Sequence, residues 1–566
     1  MTQIRPEDAE ADPEGAAPGP AARPDVTVDN VARNSAIMAV GTFGSRVLGF
    51  VRAALLTGVV GGAVALDSFT IANSLPTQLY VLINGGLISA LLIPQLTKAM
   101  LRKDGGQDFS DRLITLCLLV LGVGTLLSLA ATPWIIGLLT KKDAGADFMS
   151  LTTTLAYLCI PQLFFYGLYS VLGQVLNARG NFVAYAWSPA WANVIQIAGL
   201  VWFIVQWGQQ PTASTWTPAM ILVLGLSTTL GIAVQGLSLV LPLWKTGFRY
   251  RPRFGWRGYG FGDMSRMTGW TVGALVISQF YGFVATRVMS PSESLGPSVP
   301  GNGIQALAYS LYIFPHSIIT TSVVTALFPG MSRAHVEGDV PGMRRRLISG
   351  MSTPAVLILP ATAAFVALGR PMATTLFPGL RYSPGEGIDE PGSVALILAI
   401  MAIGLLPFGI TALKQRYCFA RSDGWMNFWL VALMTSISLA ACGVAAWVVP
   451  PRYIVATVAL GSTISSIVSA AAFLLVARRQ LGGLGLGGVV RLWVRLGIAS
   501  AAAGVFGWAA ASLVADPTSR WLVQTISLAV GGLVLAAVFF GMARVLRIRE
   551  VDDILTPVLR RLPLPR

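Results

Sequence analysis

Apolar runs of about 20 residues, repeated from near residue 34 to residue 545, constrain this chain more than any other feature. A helix of that length crosses the roughly 30 Å hydrocarbon layer of a bilayer. In lipid, every backbone N–H and C=O must find its partner within the helix or in a closed barrel. About fourteen runs reach spanning length: 34–60, 66–95, 112–139, 150–177, 181–206, 217–244, 266–290, 304–331, 345–368, 393–419, 424–449, 453–477, 490–514 and 520–545. Only 11% of the residues are charged and 54% are hydrophobic, where soluble domains carry about 25% charged residues. The expected fold class is all-α, a polytopic membrane protein with about fourteen transmembrane helices.

The 40 basic and 25 acidic residues give a net charge of +15. In a soluble protein this would suggest nucleic acid. Here the basic residues alternate from loop to loop, as the positive-inside rule requires, and no nucleic-acid partner is expected. One set of loops holds Lys98, Arg102, Lys103 and Arg112; Arg179; Lys245 to Arg257; Arg344 to Arg346; Arg421; and Arg478, Arg479 and Arg491. In the other set, 61–65 and 209–216 carry no charge, Lys141 and Lys142 are offset by Asp143 and Asp147, and 369–392 holds Glu386, Asp389 and Glu390. The pattern predicts a multi-pass protein of the cell membrane with both termini cytoplasmic. Residues 1–30, rich in Pro and acid, read as a disordered cytoplasmic tail without a secretory h-region. Residues 546–566 read as a basic cytoplasmic tail.

A weak repeat links the halves. Pro161 and the exit Asn177-Ala178-Arg179-Gly180-Asn181 resemble Pro407 and the exit Phe419-Ala420-Arg421-Ser422-Asp423. Six segments separate them, the spacing of a parallel repeat. The expected organisation is a six-helix lobe over 31–245, a second over 246–480 related by a pseudo-twofold axis, and two further helices over 481–545.

Cys117, Cys159, Cys418 and Cys442 lie inside apolar runs and read as packing residues. His316 and His335 are too few and too far apart for a metal site. No metal, cofactor or catalytic residue is expected, and the energy source or coupling ion is not readable. The informative groups are polar residues at membrane depth. Arg46 lies about twelve residues past its helix start, roughly 18 Å into the membrane, and an intramembrane arginine costs about 3 kcal/mol or more on insertion scales. Arg52 follows six residues on, about 120° around a straight helix; Gly41, Gly44 and Gly49 offer a bend that could close the gap. Asp67 is positioned to pair with Arg52 as a gate latch. Arg287, Asn73, Gln78, Asn84 and Ser310 complete a candidate cavity with more positive than negative charge. Arginine forks suit phosphates, so the expected substrate has an anionic head, such as a pyrophosphate.

The residues Arg33-Asn34-Ser35, Ser45-Arg46-Val47-Leu48-Gly49-Phe50-Val51-Arg52, Leu66-Asp67-Ser68-Phe69 and Asn73-Ser74-Leu75-Pro76 resemble the opening of the MurJ (MviN) lipid II flippases, in the MATE/polysaccharide-transporter (MOP) superfamily. Gly85-Gly86, Pro94-Gln95-Leu96, Phe314-Pro315-His316, Thr325 to Arg333 and Gln415-Arg416-Tyr417 extend the likeness over about 35–545. The resemblance implies two lobes around a cationic cavity, a groove for the lipid tail at 481–545, and essential roles for Arg46, Arg52 and Asp67. Ala53, Tyr80-Val81, Gly85 and Ser310 replace charged residues common in the family, a pattern closer to actinobacterial relatives. The implied activity is alternating-access transfer of lipid II, or a related undecaprenyl-diphosphate lipid, to the outer leaflet, with cell-wall synthesis or divisome proteins as partners. Alternatives are export of another lipid-linked oligosaccharide or small solute, or a non-transporting cell-wall scaffold. A membrane glycosyltransferase would need acid/base groups that the runs do not supply.

Overall fold

The computed structural model describes residues 28–62, 64–83, 107–179, 181–255, 266–291, 299–548 and 550–551. Residues 1–27, 549 and 552–566 of the two tails, with Asn84, Gly85, Gly86 and Pro94-Gln95-Leu96, lie outside the described residues. The chain folds as helices: α1 (Val28–Val60), α2 (Val64–Ile83), α3 (Gln107–Ala130), α4 (Thr132–Leu139), α5 (Ala146–Cys159), α6 (Gln162–Ala178), α7 (Phe182–Trp207), α8 (Pro218–Leu237) and α9 (Val240–Lys245) form the first half. The second holds α10 (Arg266–Val288), α11 (Asn302–Pro315), a π-turn (His316–Thr320), α12 (Thr321–Val336), α13 (Val340–Leu376), α14 (Glu390–Ile403), α15 (Leu405–Ala420), α16 (Gly424–Trp447) and α17 (Ile454–Gln480). α18 (Gly487–Val514) and α19 (Trp521–Val545) follow. A two-residue hairpin, β1 (Tyr382–Ser383) with β2 (Ile388–Asp389), sits in the loop before α14.

Twelve described stretches are long and apolar enough to cross a bilayer, and the bent pair α14–α15 makes a thirteenth. The remaining expected span, 66–95, is helical from Val64 to Ile83 in its described part. Proline explains the breaks. Pro161 separates α5 from α6, and Pro133 opens α4 at a position where its missing N–H costs nothing. α14 and α15 meet at 50° across Gly404.

The repeat is visible in the backbone. Arg179 (φ −94°, ψ 7°) and Arg421 (φ −96°, ψ 0°) end α6 and α15 alike, and Asn181 (φ −98°, ψ 78°) and Asp423 (φ −95°, ψ 74°) begin the next helices alike. In both turns the i+5 amide closes back: Asn181 N–H donates to Leu176 O (3.0 Å) and Asp423 N–H to Cys418 O (2.9 Å).

Helices of each half pack mainly on one another, while α18 and α19 pack on each other and on α13. The buried apolar residues divide unevenly. At the end bearing the sparsely charged loops, one continuous core joins both halves, with Val59, Leu66 and Phe69 beside Leu307, Phe377 and Val458. At the basic-loop end the core of the described residues splits: one cluster around Phe109, Leu172 and Phe248, another around Met343, Tyr417 and Phe473. The halves are joined at one end and built around separate cores at the other.

Candidate functional site between the two halves

Arg46 is partly buried on α1. It has no hydrogen bond or ion pair with any described residue. Its face is fixed by Phe50, one turn later, whose ring meets Phe314 of α11 edge-on at 5.1 Å. Residues four apart on a helix share a face, so Arg46 lies on the side of α1 turned toward the second half. Arg52 lies on another side. Its Nη1 donates to Gln196 Oε1 of α7 (3.1 Å), and Gln196 Nε2 donates to Thr228 Oγ1 of α8 (2.8 Å). The partner is a neutral amide, so the guanidinium keeps its whole charge. α1 runs as one unbroken helix. Gly41 gives room to Trp187 of α7, whose indole nitrogen would lie 2.8 Å from an added Cβ, while Gly44 and Gly49 have open space.

The expected Arg52–Asp67 pair is not formed in this conformation. Asp67 is buried, at 4% exposure, and its Oδ1 accepts the Gly303 N–H at 2.5 Å. A Cβ on Gly301 would strike the same carboxylate. Asp67, from the first half, therefore completes the N-terminus of α11 in the second. Exposed N–H groups and the positive end of the helix dipole make that terminus a good seat for a carboxylate.

Arg287 does the reverse. Its Nη1 donates to the carbonyls of Gly137 (3.1 Å), Leu138 (2.8 Å) and Thr140 (2.6 Å). Those are the unpaired acceptors at the C-terminus of α4, where a cation is favoured. Expected as a cavity residue, Arg287 is instead a tie between α10 and α4. Beside it, partial burial draws the Lys141 ammonium below its usual pKa, against the opposing pull of Asp143.

Two more contacts close the same end. Gln209 Nε2 bridges Thr57 O (3.0 Å) and Gly379 O (2.7 Å). Glu390, 7% exposed, accepts from the Arg381 N–H (2.6 Å) and packs so closely on Gly62 that a side chain there would collide with it. Gln196, Gln209 and Glu390 were not evident as functional positions, because nothing near them in sequence identifies their partners.

The softer candidates divide. Asn73 Oδ1 accepts from Gln162 Nε2 (3.3 Å), inside the first half. Gln78 touches α10: its carbonyl accepts from Gln279 Nε2 (3.0 Å), and its own Oε1 is buried without a partner. Ser310 bonds back to Leu307 O (2.7 Å). Asn84 lies outside the described residues. Elsewhere, an apolar trough of about 490 Å³ runs between α13 and α18, lined by Leu359, Ala363, Val366, Gly504, Val505 and Trp508 among others.

The sequence model of a family described as "Lipid II flippase MurJ" matches residues 56–528. A protein named "Probable lipid II flippase MurJ" from Vibrio cholerae is 26% identical over 433 residues, 74% of this chain and 78% of its own length. A solved structure of "Lipid II flippase MurJ, inward closed conformation" superposes with a TM-score of 0.68 at 17% identity, covering 90% of this chain and 99% of that one. An inward-facing MATE-family multidrug transporter of the MOP superfamily superposes with a TM-score of 0.59 at 13% identity, covering 78% and 96%.

Proposed function

The chain belongs to the lipid II flippase MurJ family and is a transporter, not an enzyme; we propose that it carries lipid II across the membrane by alternating access, with Arg46 as the first anchor for the diphosphate. The single observation that carries this reading is an arginine at membrane depth, between the halves, with no described partner. A fixed positive charge there is costly, and an anionic headgroup that brings acceptor oxygens removes the cost. Arg52, held only by a neutral amide, supplies the second charge. Asn73, Gln78, Asn84 and Ser310 contribute neutral contacts once the halves move.

The positive-inside rule places the basic loops and both termini in the cytoplasm. In that orientation the conformation is sealed toward the outside and divided toward the cytoplasm, ready to accept cargo from the inner leaflet. Asp67 and Arg287 form the outer gate, each by completing a helix end of the other half. The prenyl tail stays in lipid and lies in the trough between α13 and α18 while the head crosses. Proteins of cell-wall synthesis are the expected partners, because the delivered lipid is their substrate.

Complementation tests the reading. Arg46→Ala protein is expected to reach the membrane and fail to rescue cells depleted of their own flippase. Full rescue would contradict the role of Arg46, and a strain that tolerates Arg46→Ala but not deletion would point to a scaffold.

A further inference from the structure

Two polar atoms on the π-turn between α11 and α12, His316 Nδ1 and Thr320 Oγ1, have no hydrogen-bond partner among the described residues. Both residues are more than nine-tenths buried, at 8% and 1% exposure. Buried polar atoms are nearly always bonded, so each orphan needs a cause. Both face α15 just past its 50° bend with α14. The imidazole packs 4.6 Å from the Phe408 ring, and a Cβ on Gly409 would lie 3.4 Å from Thr320 Oγ1. π-turns inside helices concentrate at functional sites, and here one meets a second helix break.

Hydroxyls mark a polar seam on the elements that meet at this bend. Thr321 Oγ1 donates to His316 O (3.4 Å), Thr362 Oγ1 to Ala402 O (3.2 Å) and Thr463 Oγ1 to Ile400 O (2.9 Å). Of the elements packed against the turn, α12 has no titratable residue before Arg333, and α13 has none between Arg346 and Arg370. α11 brings Tyr312 to the same Phe408 ring, at 5.7 Å, and α15 carries Lys414 six residues beyond Phe408. Among the described residues, no carboxylate forms an ion pair with His316.

We propose that His316 is a proton-binding site, taking one proton from water that reaches Nδ1 along this seam when the π-turn and the bend rearrange. An imidazolium in a dry apolar site is costly, so the proton binds the conformation in which the seam is wet, and proton uptake is thereby linked to movement of the halves. Phe314, two residues before His316, is the ring that meets Phe50 beside Arg46. Residues two apart on a helix point to nearly opposite sides, so His316, packed on Phe408 of α15, carries its added charge on the side of this helix turned away from the face where an anionic headgroup would sit. Imidazole is the side chain whose charge changes in the physiological range, and an ionisable group at membrane depth is functional by default. The inference rests on the transporter reading only for the cycle in which the site acts.

The chain has two histidines, which makes a direct test simple. Wild-type protein labelled with 15N-histidine in phospholipid nanodiscs, with His335→Gln to assign signals, is followed by NMR from about pH 5 to about pH 8. His316 is expected to change protonation within that range. A ring that stays neutral throughout overturns the proposal. No cargo is added, so this outcome is independent of whether lipid II is the substrate. In liposomes, wild-type flipping is expected to vary with pH by roughly tenfold over the same range, and His316→Gln to flatten the profile. A His316→Gln protein slowed equally at every pH, with the profile intact, assigns the histidine to packing and overturns the proposal as well.

Discussion

At Asp67 one carboxylate joins two halves of the molecule by completing a helix end 236 residues away. A helix-terminal cap of this kind is worth about 0.5–2 kcal/mol, enough to bias a gate without locking it. Asp67→Ala is expected to shift the closed–open balance toward open by roughly fivefold, the equivalent of about 1 kcal/mol. Asp67→Asn, which keeps an acceptor for the Gly303 N–H, should shift it less. Maleimide labelling of a cysteine placed at Leu380, beside Gly62, reads this directly, because the four native cysteines are buried. Labelling unchanged in Asp67→Ala would remove it from the gate. Arg287→Ala should act in the same direction by freeing the carbonyls at the end of α4. Arg46, Arg52 and Asp67 were legible as residues because charges are rare in apolar runs. Their partners were not, since a helix terminus attracts a charge only once the fold brings it near, and nothing beside Asp67 in sequence announces Gly303.

Helix ends and crossings explain where glycine is required. Gly301 leaves the space that the Asp67 carboxylate occupies. Gly301→Ala is therefore expected to increase labelling at Leu380→Cys as Asp67→Ala does; no increase would mean the carboxylate finds another seat. α18 and α19 cross where a Cβ on Gly507 would lie 2.9 Å from Gly531 O and from Leu535 Cβ. Overpacking a tight contact costs about 1–3 kcal/mol, so Gly507→Val should lower thermal stability and weaken binding of the lipid tail while leaving a headgroup analogue bound. Equal loss of both would mean the damage spreads beyond the two helices. Spans were legible at this scale because lipid forces each run to be a helix. The Asn177–Asn181 and Phe419–Asp423 exits were legible because the same turn needs the same punctuation. The π-turn was not, since Pro315 marks a break without specifying its geometry.

Across the whole molecule, the described residues share a core at one end and divide into separate cores at the other, and the proposed alternating access would use the halves as levers about that shared core. The orientation of that lever rests on loop charge. Fusions at either terminus should therefore give fluorescent GFP and inactive alkaline phosphatase, and an active phosphatase at either end would reverse the direction assigned to the gate. Which end is sealed could not be read from the sequence, because apolar runs look alike whether they pack on lipid or on the other half. The charge of Arg46 was legible, since few charged residues fall inside apolar runs. The most direct test is the affinity of purified protein for lipid II with and without that charge. Arg46→Ala should lose binding by roughly tenfold to a hundredfold, the equivalent of about 1.5–3 kcal/mol for charge-assisted bonds, and Arg46→Lys should recover part of it. Undiminished affinity in a correctly folded Arg46→Ala protein would contradict the account.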